Sequence, residues 1–228
     1  MEPCAIVPLA HADHVAAATA SVAGESLLAR VVRSLLGVVE EKRVVVATLP
    51  AMAADARACL GAAGLGTAIA VPREPGSRSR VIQAGLEYLG VERDTPRSIL
   101  VADHRYPLSP GEVADRVLRA LLTGHDVVAP TLPVTDTVKT VDEQGSVLST
   151  VDRSTLRTVQ YPRGFTAAAL WRLLSISPAS TPDDVDEFDE ALRSGLDIGT
   201  VAGDANAFRV ELPRDAYLLD AVISCRHD

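Results

Sequence analysis

The sequence predicts a Rossmann-like α/β domain: a mostly parallel sheet with helices on both faces. Apolar β-rich runs alternate with helical patterns from Cys4 to Val134, the β-α-β-α rhythm of a parallel sheet. SILVAD (Ser98 to Asp103) is nearly all apolar, as a strand covered on both faces must be. After Val134 the rhythm breaks into two or three short strands with no helix between them. Such a segment cannot bury itself alone, so it either packs on the main sheet or reaches a second subunit. The expectation is one domain over 1–228 with an embedded β-arm at 135–163.

CAIVPLA (Cys4 to Ala10) reads as the first buried strand. Glu25 to Leu36 places Leu27, Leu28, Val31, Val32, Leu35 and Leu36 on one helical face, and Gly37 stops that helix. RVVVATL (Arg43 to Leu49) is the second strand, and Pro50 opens an Ala-rich helix that runs to about Cys59. TAIAVP (Thr67 to Pro72) is the third strand; the loop REPGSRS leads to a helix around Arg80 to Leu89. Ser109-Pro110-Gly111-Glu112 reads as a capping box with proline at the first helical position. DVVAPTLPV (Asp126 to Val134) is the fifth strand. Two β-like pieces flank Glu143-Gln144-Gly145 as a hairpin, and LRTVQYP is a further extended piece. A helix follows from Thr166 to Leu174, and Thr181-Pro182-Asp183-Asp184 is expected to cap another, its aspartates facing the helix dipole. DIGTVAG and NAFRVEL read as late strands and Pro213 to Cys225 as a closing helix.

Composition excludes several classes. The 228 residues carry 22 Lys+Arg and 30 Asp+Glu, a formal charge of −8, which disfavours nucleic-acid binding. A small anionic ligand is still compatible, because the field it meets is local. No apolar stretch is long enough to span a membrane. The start, MEPCAIVPLAHADH, lacks the basic region of a secretory signal, so a cytoplasmic protein is expected. Cys4, Cys59 and Cys225 are odd in number and widely spaced, which fits a reducing compartment without a disulfide framework or zinc site. Only Lys42 and Lys139 are lysines, and the first cation of any kind is Arg30.

Ligands of open parallel sheets bind at the carboxyl ends of the strands. Asp103 ends a strand in LVADHRYP; Thr137 and Lys139 lie in PVTDTVK; Arg153, Arg157, Gln160 and Arg163 follow the hairpin; Gly203 and Arg209 bracket a late strand. Clustered arginines with an aspartate at a strand end suit a phosphorylated small molecule with a divalent metal. His11 and His14 are expected to be solvated loop residues, and His104, His125 and the cysteines structural. Lys139 could equally pair along the arm, and Arg157 stays open between pocket and surface.

These stretches resemble the 2-C-methyl-D-erythritol 4-phosphate cytidylyltransferase family in order and across nearly the whole chain. LVADHRYP is similar to L-V-H-D-x-x-R-P, and PVTDTVK to P-V-x-D-T-[IVM]-K. STVDRSTLRTVQYPRGF, Thr181 to Gly195 and VAGDANAFRVELPRD resemble the three blocks that follow. The resemblance implies a nucleotidyltransferase of GT-A-like fold that joins CMP from CTP to a phosphorylated polyol, releasing pyrophosphate with Mg²⁺. It implies a homodimer whose β-arm completes the neighbour's pocket. By position, Asp103 is the catalytic residue and holds substrate and metal. Thr137, Lys139, Arg153 and Arg209 bind the polyol phosphate, Arg209 standing where the family has lysine. Pro8, Ala10, Arg78 and Gly85 fall on the nucleotide side.

The nucleotide side also departs from the pattern. The family's glycine-rich loop, with its arginine and following lysine, supplies N–H donors and charge to the triphosphate. Here that place reads LAHADHVAAATASVAGES, with no glycine before Gly24 and no cation before Arg30. Tyr106 replaces an arginine, with Arg105 adjacent; Tyr161 and Arg163 replace a threonine and a glutamine. The standard reaction is therefore expected to be impaired or altered. The alternative is a non-catalytic paralogue that binds a sugar phosphate or a partner. A closed helix or collapsed strand over Leu9 to Glu25 would exclude CTP; an open loop with a bound anion would restore the enzyme reading.

Overall fold

The computed structural model describes residues 2–73, 77–176 and 186–225. In chain order the elements are β1 (Cys4–Leu9), α1 (Ala12–Thr19), β2 (Ser21–Val22), β3 (Glu25–Ser26), α2 (Leu27–Leu36), β4 (Val44–Thr48) and α3 (Ala53–Ala62). There follow β5 (Ala68–Ala70), α4 (Arg78–Tyr88), β6 (Ser98–Val101), α5 (Gly111–Leu121), β7 (Val127–Pro133), β8 (Lys139–Val141) and β9 (Val147–Thr150). The chain closes with β10 (Arg157–Val159), β11 (Arg163–Thr166), α6 (Ala167–Ile176), α7 (Glu187–Arg193), β12 (Ile198–Ala202) and α8 (Ala216–Ser224).

β5, β4, β1 and β6 pair in parallel. β10 and β11 run in succession antiparallel to β7, and β11 also pairs antiparallel with β6. Val127 pairs with Phe165 of β11 and with Ile198 of β12, so β12 lies on the other edge of β7, parallel to it. This is the mostly parallel sheet that the rhythm predicts. Alternation along β1 divides the core: Cys4 and Ile6 face α4 and α6, whereas Ala5, Val7 and Leu9 face α1, α2, α3 and α5. A third cluster joins Val22, Leu27, Leu108 and Val210 to Leu219 and Ile223 of α8.

Several expectations need correction. Residues 12–19 are a helix and residues 21–26 a tight hairpin whose turn has Ala23 at φ +49° and Gly24 at φ +78°. Alanine-rich HADHVAAATA has the helix propensity to close once no ligand loop is required. Ser109 does not cap α5: its hydroxyl donates to the Tyr161 carbonyl at 2.8 Å, and Pro110 takes the N-cap position. NAFRVEL forms no strand; Val210 N–H donates instead to the Arg105 carbonyl at 2.7 Å, laying the segment over the strand ends. The Thr181-Pro182-Asp183-Asp184 cap lies outside the described residues. The following helix, α7, is capped by Asp186, whose carboxylate accepts from Phe188 and Asp189 N–H while Asp189 returns a bond to Asp186 N–H.

Gly164 sits in mid-sheet between Leu100 and Val128. A Cβ there would lie 2.8 Å from Leu121 Cδ1 and closer still to Val117 Cγ1 of α5. The β-branched Val117 has little rotamer freedom to yield. Gly164→Ala should therefore cost about 1–3 kcal/mol in equilibrium urea unfolding; an unchanged midpoint would mean that α5 moves freely on the sheet.

Candidate active site at the strand ends

A cavity of about 290 Å³ opens at the C-terminal side of the sheet. Its lining comes from six places in the chain that the topology brings together. His11 and His14 belong to the start of α1, Arg78 opens α4, and Asp186 and Asp189 belong to the start of α7. Arg105 and Tyr106 follow β6, Tyr161 lies between β10 and β11, Arg163 opens β11, and Arg209 comes from the segment after β12. The N-termini of α1 and α4 thus face one space without a side-chain cap, whereas the first N–H groups of α7 are taken by Asp186. The two uncapped ends favour anions, because their first N–H groups lack intrahelical acceptors.

Each arginine of the lining is held by a carboxylate. Arg105 forks onto Asp103: Nε lies 3.0 and 3.1 Å from the two carboxylate oxygens, and Nη2 lies 2.5 Å from Oδ2. Arg105 N–H adds a bond of 2.8 Å to Oδ1. Arg78 donates to both oxygens of the buried Glu187, at 2.9 and 3.3 Å. Arg163 pairs with Asp186, which also accepts the Tyr161 hydroxyl at 2.9 Å. The Arg163 guanidinium lies 4.1 Å from the Tyr161 ring centroid and 4.8 Å from that of Phe188, and its Nε is buried without a hydrogen-bond partner. Arg209 pairs with Glu211 at 2.6 Å.

These pairs set the ionisation. Burial alone would raise the Asp103 carboxyl; the Arg105 hydrogen bonds and nearby positive charge outweigh it and hold it well below the usual carboxylate range. His104 is 2 % exposed, and burial depresses its pKa to about 4 against the pull of Asp103, so it is neutral at pH 7. His14 is lowered by burial, then by Arg105 and His11. Burial raises the Tyr106 and Tyr161 hydroxyls, which remain protonated.

The expected site residues separate into two groups. Arg78 and Arg209 line the cavity, and Asp103 stands directly behind Arg105. His11 and His14 line it too, so they are not the solvated loop residues expected. Thr137, Lys139 and Arg153 do not reach it. Thr137 is exposed before β8, Lys139 Nζ donates to Thr150 Oγ1 at 2.6 Å along the arm, and Arg153 donates to the Thr135 carbonyl. Arg157 is a surface residue that donates to the Ser154 and Leu156 carbonyls. Pro8 is buried within β1 opposite Ala47, and Ala10 is 2 % exposed in the core. Gly85 packs on the sheet, where a Cβ would meet Ile6 Cγ2 at 3.0 Å. Pro8, Ala10 and Gly85 thus pack in the core and are not among the residues that line the cavity.

Sequence reasoning missed Tyr161, Arg163 and Asp186 as a unit, and the pinning role of Gln160. That side chain is 3 % exposed, and its amide donates to the Asp204 and Ala207 carbonyls at 2.8 and 2.7 Å and accepts from Asp204 N–H at 3.0 Å. Gly203 is required beside it, because a Cβ would run into the Gln160 oxygen.

Mg²⁺ at Asp103 is not what this geometry fits. Both carboxylate oxygens are engaged by Arg105, the side chain is 2 % exposed, and among the described residues no group of three His, Cys, Asp or Glu could hold a metal ion.

A family model described as 2-C-methyl-D-erythritol 4-phosphate cytidylyltransferase matches residues 11–224. The protein of that description from Saccharopolyspora erythraea is 36% identical over 209 residues, covering 89% of this chain and 88% of its own. That from Rhodococcus jostii is 34% identical, covering 88% and 83%. The crystal structure of the Thermus thermophilus cytidylyltransferase superposes with a TM-score of 0.75 at 26% identity, covering 98% and 100% of the chains. The Anaerococcus prevotii 4-diphosphocytidyl-2C-methyl-D-erythritol synthase gives a TM-score of 0.77 at 17% identity over 98% of both, a likeness of fold.

Proposed function

The chain belongs to the 2-C-methyl-D-erythritol 4-phosphate cytidylyltransferase family, and from that premise we propose that it transfers CMP from CTP to a phosphorylated polyol, with the relatives' 2-C-methyl-D-erythritol 4-phosphate as first substrate. The observation that carries this reading is the convergence of Arg78, Arg105, Arg163 and Arg209 on one cavity at the strand ends. Attack by a substrate phosphate oxygen on the α-phosphate of CTP, with pyrophosphate leaving, needs alignment and charge neutralisation more than a protein nucleophile. Arg105, fixed by Asp103, and Arg78, fixed by Glu187, supply stationary positive charge. The α1 N-terminus adds donors that no side chain caps. Enzymes of this class commonly use a divalent metal; Mg²⁺ remains the expected counter-ion of the triphosphate, and no residue of this chain is assigned to hold it.

The transfer should be slow. α1 occupies the place of the glycine-rich loop, and each preorganised donor lost costs on the order of a hundred- to a thousandfold in rate. Pyrophosphate release from CTP and methylerythritol phosphate should fall below that of a loop-bearing relative by about that factor; equal turnover would overturn the impairment. Closure of α1 also supports the second reading, a non-catalytic sugar-phosphate-binding paralogue. Calorimetry that detects the polyol phosphate but no CTP would select it.

The exposed hairpin β8–β9 carries Thr137, Lys139 and Arg153 near its base, with Val141, Val147 and Leu148 at 56%, 64% and 66% exposure. We assign it to a homodimer in which it completes the neighbour's polyol-phosphate pocket. Multi-angle light scattering should return a dimer, and Val147→Asp with Leu148→Asp a monomer; a monomeric unmutated chain at micromolar concentration would exclude the exchange.

A further inference from the structure

We propose that Arg105 is the resident cation of Asp103, standing where a divalent metal would otherwise sit, so that the cavity binds phosphate groups without a metal held by the protein. The inference rests on the reading that a phosphate-bearing ligand occupies this cavity.

Three observations support it. The carboxylate of Asp103 accepts from Arg105 four times, through the backbone N–H, twice through Nε and once through Nη2. A carboxylate so engaged has no oxygen directed at the cavity, and Asp103 itself is not among the lining residues whereas Arg105 is. The fork uses one edge of the guanidinium. Among the described residues Nη1 has no partner, so the group retains donors for an anion on its open side. Finally, the pair is local and rigid. Asp103 and Arg105 are two residues apart, the turn between them is closed by Tyr106 N–H donating to the Asp103 carbonyl at 3.0 Å, and the Arg105 carbonyl is tied to Val210 N–H.

A guanidinium differs from a metal ion in consequence. It cannot exchange with solvent and stays charged throughout the accessible pH range. It offers a planar set of donors, which suits a terminal phosphate taken end-on. Arg78 stands on the same cavity, similarly backed by Glu187, so a second fixed donor set is in reach of the same ligand. The phosphate of CMP or of a phosphorylated polyol needs no further cation there.

The test uses two independent readouts. Electron paramagnetic resonance of Mn²⁺ titrated with the full chain alone should show only free ion, for the unmutated protein and for Asp103→Asn alike. Calorimetric titration with inorganic phosphate and with CMP should give the same dissociation constant in chelator and in magnesium. Arg105→Met should weaken both ligands by about tenfold or more; Arg105→Lys, which keeps charge but loses the fork, should restore only part of that loss. Saturable Mn²⁺ binding that Asp103→Asn abolishes would overturn the proposal, as would phosphate binding that requires magnesium or binding absent from both buffers. If CMP binds in chelator but CTP is never turned over, the transfer reading fails while this inference stands.

Discussion

Replacing Arg105 with methionine should lower the unfolding free energy by about 3 kcal/mol, the low end of the range for stranding one member of a buried ion pair. The remaining carboxylate would be the problem. Asp103 has a side chain only 2 % exposed, and every polar partner recorded for its two oxygens except the His104 ring, 3.4 Å away, belongs to Arg105. Without the fork the group must either stay charged in a poor solvent or take up a proton, and both cost free energy. Arg105 itself is 29% exposed, which is why the lower figure is expected. Adding Asp103→Asn to Arg105→Met should return much of the loss, since an amide carries no charge to strand. Urea denaturation of the two variants beside the parent measures this. A single variant with the parental midpoint would mean that water reaches Asp103 and that the fork is a surface pair.

The second large effect is in pH. His104 has a folded-state pKa of about 4 against an ordinary value of 6.5, with burial as the leading cause. Its folded form therefore binds fewer protons than the unfolded chain between those values, so unfolding free energy falls as pH falls. The loss from this residue should reach about 2 kcal/mol by pH 5 and about 3 kcal/mol by pH 4, with none above pH 7. Asp103 acts in the same direction but lower on the scale: its depressed carboxyl costs stability only as pH drops through the ordinary carboxylate range and below. Denaturation midpoints between pH 7 and 5 thus report two histidines, His104 and, in the same direction, His14. His104→Asn should flatten the profile in that interval, and an unchanged slope would assign the acid sensitivity elsewhere.

The parallel sheet was legible because its signal is local. Runs such as VVVAT and SILV are apolar on both faces, and β4 and β6 are buried at every position. The helices with one apolar stripe, α2 and α5, were legible for the same reason. What failed was competition for single groups. Ser109 has the sequence of a cap, yet its hydroxyl is taken by the Tyr161 carbonyl, 52 residues away. NAFRVEL has the composition of a strand, but β7 already has a neighbour on each edge, so no ladder is open to it along β7. The family pattern pointed to Asp103, Arg78 and Arg209, which lie on the cavity or directly behind it. It said nothing about which arginine would face which acid, because pairs such as Arg78 with Glu187, 109 residues apart, depend on the packing of α7 against the start of α4. The absence of early cations was read from composition alone. Arg78, Arg105 and Arg163, from later in the chain, now stand at the cavity.

Gln160 lies between β10, at the root of the arm, and the cis Tyr161–Pro162 bond that leads into β11. Its backbone N–H is fastened to the Pro130 carbonyl at 2.8 Å, while its side chain grips Asp204 and Ala207 on the loop that delivers Arg209. One residue therefore works as a rivet: the base of the arm and the loop that carries Arg209 are pinned to the same point of the sheet.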